Sequence, residues 1–98
     1  MTIIKIGASE QIDWDSLSID ILNYIKNEPT VIVHGASITR NRIAGELGHP
    51  PKVVTSPSGV DSVYTDEKAI EILLMAYPGL VNKQIVARLI KSGINAVG

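Results

Sequence analysis

A short β-branched run that stops at Gly-Ala-Ser and gives way to a helical pattern occurs at Lys5-Ile6-Gly7-Ala8-Ser9 and again at Val33-His34-Gly35-Ala36-Ser37. Strands that alternate with helices specify an α/β fold, because each helix returns the chain to the starting edge of the sheet. Thr2 to Ile6 is therefore expected to be a buried strand. Trp14, Leu17, Ile21 and Ile25 then recur at helical spacing, with Asp13 or Asp15 as cap and Pro29 forbidding continuation. Thr30 to Val33 is nearly all β-branched, as in a parallel strand covered on both faces.

The second half follows the same grammar with one change. A helix presenting Ile38, Ile43, Ala44 and Leu47 inward is expected to end at Gly48, and His49-Pro50-Pro51 to run extended. Val53 to Thr55 and Val60 to Tyr64 flank Ser56-Pro57-Ser58-Gly59, which reads as a β-hairpin. Thr65 is expected to cap the next helix, with Asp66 and Glu67 in its first turn. Pro78-Gly79 interrupts that helix's apolar series of Ile70, Leu73, Leu74, Leu80, Ile85 and Leu89, so a kink or two helices are expected. Gly93 closes it, and Ile94 to Val97 reads as a strand. The whole is one domain, residues 1–98, since 98 residues support a single core.

Charge and cysteine narrow the chemistry. A net charge of -1 offers no basic footprint for a nucleic acid, and without cysteine there is neither a disulfide framework nor a thiolate metal site. The expected metal complement is none. No signal-peptide pattern or membrane-length apolar run occurs, so no membrane partner and a cytoplasmic location are expected. No Ser/His/Asp set or Walker lysine can be assembled either.

Chemistry is left to the strand-to-helix junctions. Small residues there allow backbone N–H groups to approach an anion, and the first helical turn supplies unpaired donors. Lys5 lies in an otherwise apolar strand, so its ammonium must reach the sheet's carboxyl end or solvent; it reads either as an edge lysine with its stem on the core or as a charge able to neutralise a transferring phosphoryl group. His34 reads as a hydrogen-bonded structural residue, while Asn82, Lys83, Arg88 and Lys91 are spaced as a solvated helix face.

Lys5-Ile-Gly, Val-Ile-Val-His34-Gly35 and Leu47-Gly-His-Pro-Pro-Lys52, taken in order, resemble the amino-acid kinase family. Val54-Thr-Ser-Pro-Ser-Gly59, Tyr64-Thr-Asp-Glu-Lys68, Gly79-Leu-Val-Asn-Lys83 and Gly93-Ile-Asn-Ala-Val-Gly98 sharpen it toward acetylglutamate kinase and its archaeal and thermophilic branch. That branch phosphorylates aminoadipate or glutamate attached to an amino-group carrier protein. The resemblance spans the chain and implies the amino-terminal lobe of a three-layer α/β/α sandwich with a mainly parallel sheet, the carboxyl-terminal ATP-binding lobe lying outside the chain. It implies MgATP as co-substrate, a small acidic amino-acid derivative as acceptor, an acyl phosphate product in lysine or arginine biosynthesis, and a homodimer. The lysine matching Lys5 stabilises the transferring phosphoryl group in that family. Backbone amides matching Gly7, Ala8, Gly35 and Ala36 hold the phosphate and the acceptor carboxylate.

Departures accompany the match. The family has Gly-Gly where this chain has Gly7-Ala8, and Gly-Gly-Gly where it has Gly35-Ala36-Ser37. An added β-carbon there is expected to crowd an anion or oppose a positive φ. Val63 stands at the position of the arginine that grips the acceptor's α-carboxylate, and Asp61 where a second basic residue is common. Beside the kinase, two alternatives follow: a truncated, non-catalytic relative that serves as a binding or interaction module, and a kinase for a less acidic acceptor.

Overall fold

The computed structural model describes residues 1–25 and 28–98. Strand β1 (Thr2–Ile6) leads through helix α1 (Trp14–Tyr24) to strand β2 (Thr30–His34), and helix α2 (Ser37–Glu46) follows. Strands β3 (Val53–Thr55) and β4 (Asp61–Val63) precede helix α3 (Glu67–Leu74), a π-helical turn (Met75–Val81) and helix α4 (Asn82–Lys91). β1 and β2 pair in parallel, with Lys5 opposite Val33 and Ile6 opposite His34. β3 and β4 form a separate antiparallel hairpin, Val53 opposite Val63 and Thr55 opposite Asp61.

Alternation along the parallel strands divides the sheet into two unlike faces. Ile4 and Ile32 pack against a core built on Ile21, Ile85, Leu89 and Ile94 from α1, α4 and the segment after it, while Ile6, on the same face, is buried at the carboxyl end of β1. Burying each such side chain is worth roughly 1.5–3 kcal/mol, which makes this small cluster the main apolar tie between helices and sheet. The opposite face carries Ile3, Val31 and Val33, which are 65%, 45% and 48% exposed. Covering on both faces, expected from the β-branched run of β2, is thus present on one.

The helix ends follow local chemistry. Asp13 caps α1, accepting from the Ser16 N–H at 3.2 Å and the Ser16 hydroxyl at 2.7 Å, as the sequence suggested. Asp66, rather than the expected Thr65, caps α3 by accepting from the Ala69 N–H at 2.8 Å. The Thr65 hydroxyl turns back to the Val63 carbonyl, and a carboxylate is the stronger acceptor for helix N–H groups. Past α2, Gly48 takes a φ of 70° and the His49 N–H closes on the Ala44 carbonyl at 2.8 Å. In the hairpin the Gly59 N–H donates to the Ser56 carbonyl at 2.9 Å with Gly59 at φ 84°, a backbone that side-chain-bearing residues resist.

Pro78 interrupts the helix as expected, dividing it into α3 and α4, but the two are joined without a gap from Glu67 to Lys91 through a π turn. Proline lacks an N–H and collides with the i−4 carbonyl of an α-helix. The wider turn shifts the bonding by one residue, so that the Asn82 N–H reaches the Tyr77 carbonyl. The buried stripe changes side across it, Ile72 and Ala76 where the rod meets α2, then Ile85 and Leu89 where it meets α1. Ile38 and Leu47, expected inward, are 41% and 49% exposed, leaving Ala44 as the buried contact of α2. Ile94 to Val97 forms no strand. Ile94 is instead buried, and its N–H ties back to the Leu89 carbonyl at 3.0 Å. A segment bound this way to the helix end is not free to make the ladder that defines a strand.

Candidate functional site

Parallel pairing of β1 and β2 brings both glycine-containing turns to the same sheet edge, the carboxyl edge at which open α/β sheets place ligands. The Gly35 N–H donates to the Ile6 carbonyl at 3.0 Å, so the ladder extends by one bond into the turns. A β-carbon on Gly35 would lie 2.8 Å from the Ala8 nitrogen and 3.2 Å from the Ala8 β-carbon. The two turns are in contact, and the contact requires glycine on one side.

Gly7, Ala8, Gly35 and Ala36 line a common cavity of about 130 Å³. Ala36 is 2% exposed and occupies the N-cap of α2 without a side-chain cap bond. The amides of that first turn are left to be satisfied by another partner. No residue other than glycine has a positive φ among the described residues. Ala8, Ala36 and Ser37 therefore fit ordinary backbone geometry, and the expected φ conflict at these positions does not arise.

His34 fastens this edge to α4. Its Nδ1 lies 3.3 Å from the Gly35 carbonyl and its Nε2 3.3 Å from the Asn82 Nδ2. A carbonyl can only accept, so Nδ1 carries the proton and Nε2 accepts from the Asn82 amide. The histidine is thus a structural link, as its place at a strand end suggested, and Asn82 turns toward His34 instead of outward.

The remaining candidates are placed differently. Lys5 is exposed on the open sheet face opposite Val33 and does not line the cavity of the glycine turns. Val63 is half-buried in β4 and lines a second cavity of about 340 Å³ with Arg40, His49, Lys52 and Asp66. There His49 Nε2 sits 3.0 Å and 3.1 Å from the two Asp66 carboxylate oxygens. The Ala69 N–H holds the Asp66 carboxyl below the usual aspartate range; burial opposes this and the His49 contact adds to it. Lys52 Nζ stands 5.6 Å from the Tyr64 ring centroid. Asp61, opposite Thr55 in the hairpin, accepts that residue's hydroxyl.

A residue dismissed from the sequence as part of a solvated face enters the site. Val81, the last residue of the π turn, and Gln84, Ile85 and Arg88 of α4 stand at i, i+3, i+4 and i+7 and line the glycine-turn cavity. Their spacing was the available signal. Which side of α4 meets the turns depends on the preceding π turn, which no periodicity rule anticipates. Among the described residues, no group of three or more His, Cys, Asp or Glu is arranged to hold a metal ion, and no helix is long and apolar enough to cross a membrane.

The family model for the amino acid kinase family matches residues 1–98. A LysW-aminoadipate kinase from Deinococcus radiodurans is 46% identical over 99 residues, covering 100% of this chain and 34% of that protein. A LysW-aminoadipate kinase from Thermus thermophilus is 41% identical, covering 100% of this chain and 37% of that protein. A LysW-aminoadipate/LysW-glutamate kinase from Saccharolobus solfataricus is 36% identical, again over 100% of this chain and 36% of its own length. The chain spans about a third of the length of these curated relatives.

Proposed function

The chain belongs to the amino acid kinase family, and from that membership we propose that it is the acceptor-binding portion of a carboxylate kinase. The reaction is transfer of the γ-phosphoryl group of MgATP to the side-chain carboxylate of an aminoadipate or glutamate whose amino group is blocked by a carrier protein. The observation that carries this reading is the joining of Gly7, Ala8, Gly35 and Ala36 around one cavity at the carboxyl edge of a parallel pair. Such a cradle of small residues offers backbone N–H groups where charge develops, which is the main catalytic contribution a protein makes to phosphoryl transfer. Similarity to LysW-aminoadipate and LysW-glutamate kinases favours a carrier-linked acceptor over free acetylglutamate. Lysine biosynthesis, a cytoplasmic location and a homodimer belong to the same proposal.

In this reading Lys5 reaches over the sheet edge when nucleotide is present and offsets charge on the transferring group. The sheet face bearing Ile3, Lys5, Val31 and Val33 is the one on which a third layer of a sandwich would rest. One observation favours a non-catalytic binding module instead: the position that carries the family's acceptor-gripping arginine is Val63 here, and it lines a cavity other than that of the glycine turns.

The test is an ATP-dependent hydroxamate assay on the protein expressed from its natural reading frame. Carrier-linked aminoadipate, carrier-linked glutamate and acetylglutamate are offered in turn. Turnover with a carrier-linked acceptor, lowered about 10²–10³-fold by Lys5→Ala, is expected. Absence of turnover with every acceptor from a folded protein would leave the binding module.

A further inference from the structure

Arg88 projects from the α4 face that walls the glycine-turn cavity, and it is the one lysine or arginine among the described residues lining it. Among those residues it makes no salt bridge, whereas Arg42 and Lys68 are each paired within their own helices. Glu10 lines the cavity as well without approaching Arg88 to ion-pair distance. The lining also includes the apolar side chains of Ile6, Ile12 and Trp14. An arginine that shares a cavity with small-residue turns and apolar side chains fits a short alkyl chain that ends in an oxyanion, since the planar fork binds carboxylate or phosphate through two parallel N–H donors.

We propose that Arg88 is a specificity-determining residue of this cavity, binding the oxyanion that the turns cradle. That oxyanion is either a carboxylate of the acceptor or the phosphoryl group placed on it. The inference rests on the acceptor-site reading and deepens it. It supplies the site with the guanidinium that Val63 does not provide, from a different element. The π turn is part of the device: one residue more or fewer before Asn82 would turn α4 by about 100° and carry Arg88 off the cavity wall.

Calorimetric titration of the protein with glutarate and, separately, with inorganic phosphate tests this without requiring turnover. Arg88→Gln, at an exposed position of α4, is compared with wild type and with Lys91→Gln, which leaves the cavity wall untouched; circular dichroism checks that each variant is folded. At least tenfold weaker glutarate binding by Arg88→Gln, with Lys91→Gln unchanged, is expected and assigns Arg88 to the acceptor carboxylate. A tenfold loss confined to phosphate would support the same residue acting on the phosphoryl group. Unchanged binding of both probes by folded Arg88→Gln, or equal weakening by Lys91→Gln, would overturn the proposal. Failure of the hydroxamate assay with intact Arg88-dependent binding would reject the kinase and leave the oxyanion site standing.

Discussion

The two glycines of the site are not equivalent. Space around Gly7 is open, with nothing within 4 Å of where a β-carbon would stand, and its φ is not in the left-handed region. At Gly35 the same atom would meet the Ala8 backbone at 2.8 Å. Gly7→Ala is expected to change stability by no more than about 0.5 kcal/mol. Gly35→Ala should cost about 1–3 kcal/mol, because a backbone neighbour cannot swing aside as a side chain can. Urea denaturation of both variants checks the contrast, and equal costs would mean that the turns do not touch. This difference is invisible in the sequence, where both positions read as Gly-Ala after a strand. What could be read was the pairing of the turns, since strands that run parallel must end at the same edge.

At the scale of elements, the starts of α1 and α3 are held by carboxylates. Ser16 holds the Asp13 carboxyl below its ordinary range, its hydroxyl contributing most and its N–H next, while the Ala69 N–H does so first for Asp66. A native carboxyl with a lowered pKa binds fewer protons than the unfolded chain, so stability rises with pH through this window. The contribution is complete above the ordinary aspartate pKa of about 3.9 and is lost as pH falls through the lower native values. Melting temperature followed from pH 6 down to pH 2.5 should therefore fall at the acid end. In Asp13→Ala and Asp66→Ala the fall should be shallower, from a lower starting value. A slope identical to wild type in both would refute the caps as its source. An acidic cap on α1 was legible as Asp13 or Asp15 because acidic residues open a clean apolar period; the choice of Asp66 over Thr65 was not, since adjacent residues both suit an N-cap. The π turn was hidden for another reason. Pro78 announces a disturbance, but whether the chain breaks or widens is decided by packing against α2 on one side and α1 on the other.

For the molecule as a whole, alternation of strand and helix gave the α/β class, two β-rich runs around Ser56-Pro57-Ser58-Gly59 gave the hairpin, and the motif order pointed to the family. The sheet's open face and the course of Ile94 to Val97 could not be read, because β-branched strands look alike whether one face or two are covered. The separation of Val63 from the glycine turns depends on where the hairpin sits relative to β2, a long-range arrangement that local patterns do not encode. Arg88 joins the site for the same reason, carried there by the rod that crosses behind both turns. The central claim, that the glycine-turn cavity is the acceptor site, is most directly tested by an amide-resolved NMR titration of the 98-residue chain with an N-blocked aminoadipate. Shifts concentrated at Gly7, Ala8, Gly35 and Ala36 are predicted. Shifts confined to Val63, Tyr64 and their neighbours in the hairpin cavity, or none at concentrations that saturate acceptor binding in the protein expressed from its natural reading frame, would contradict it.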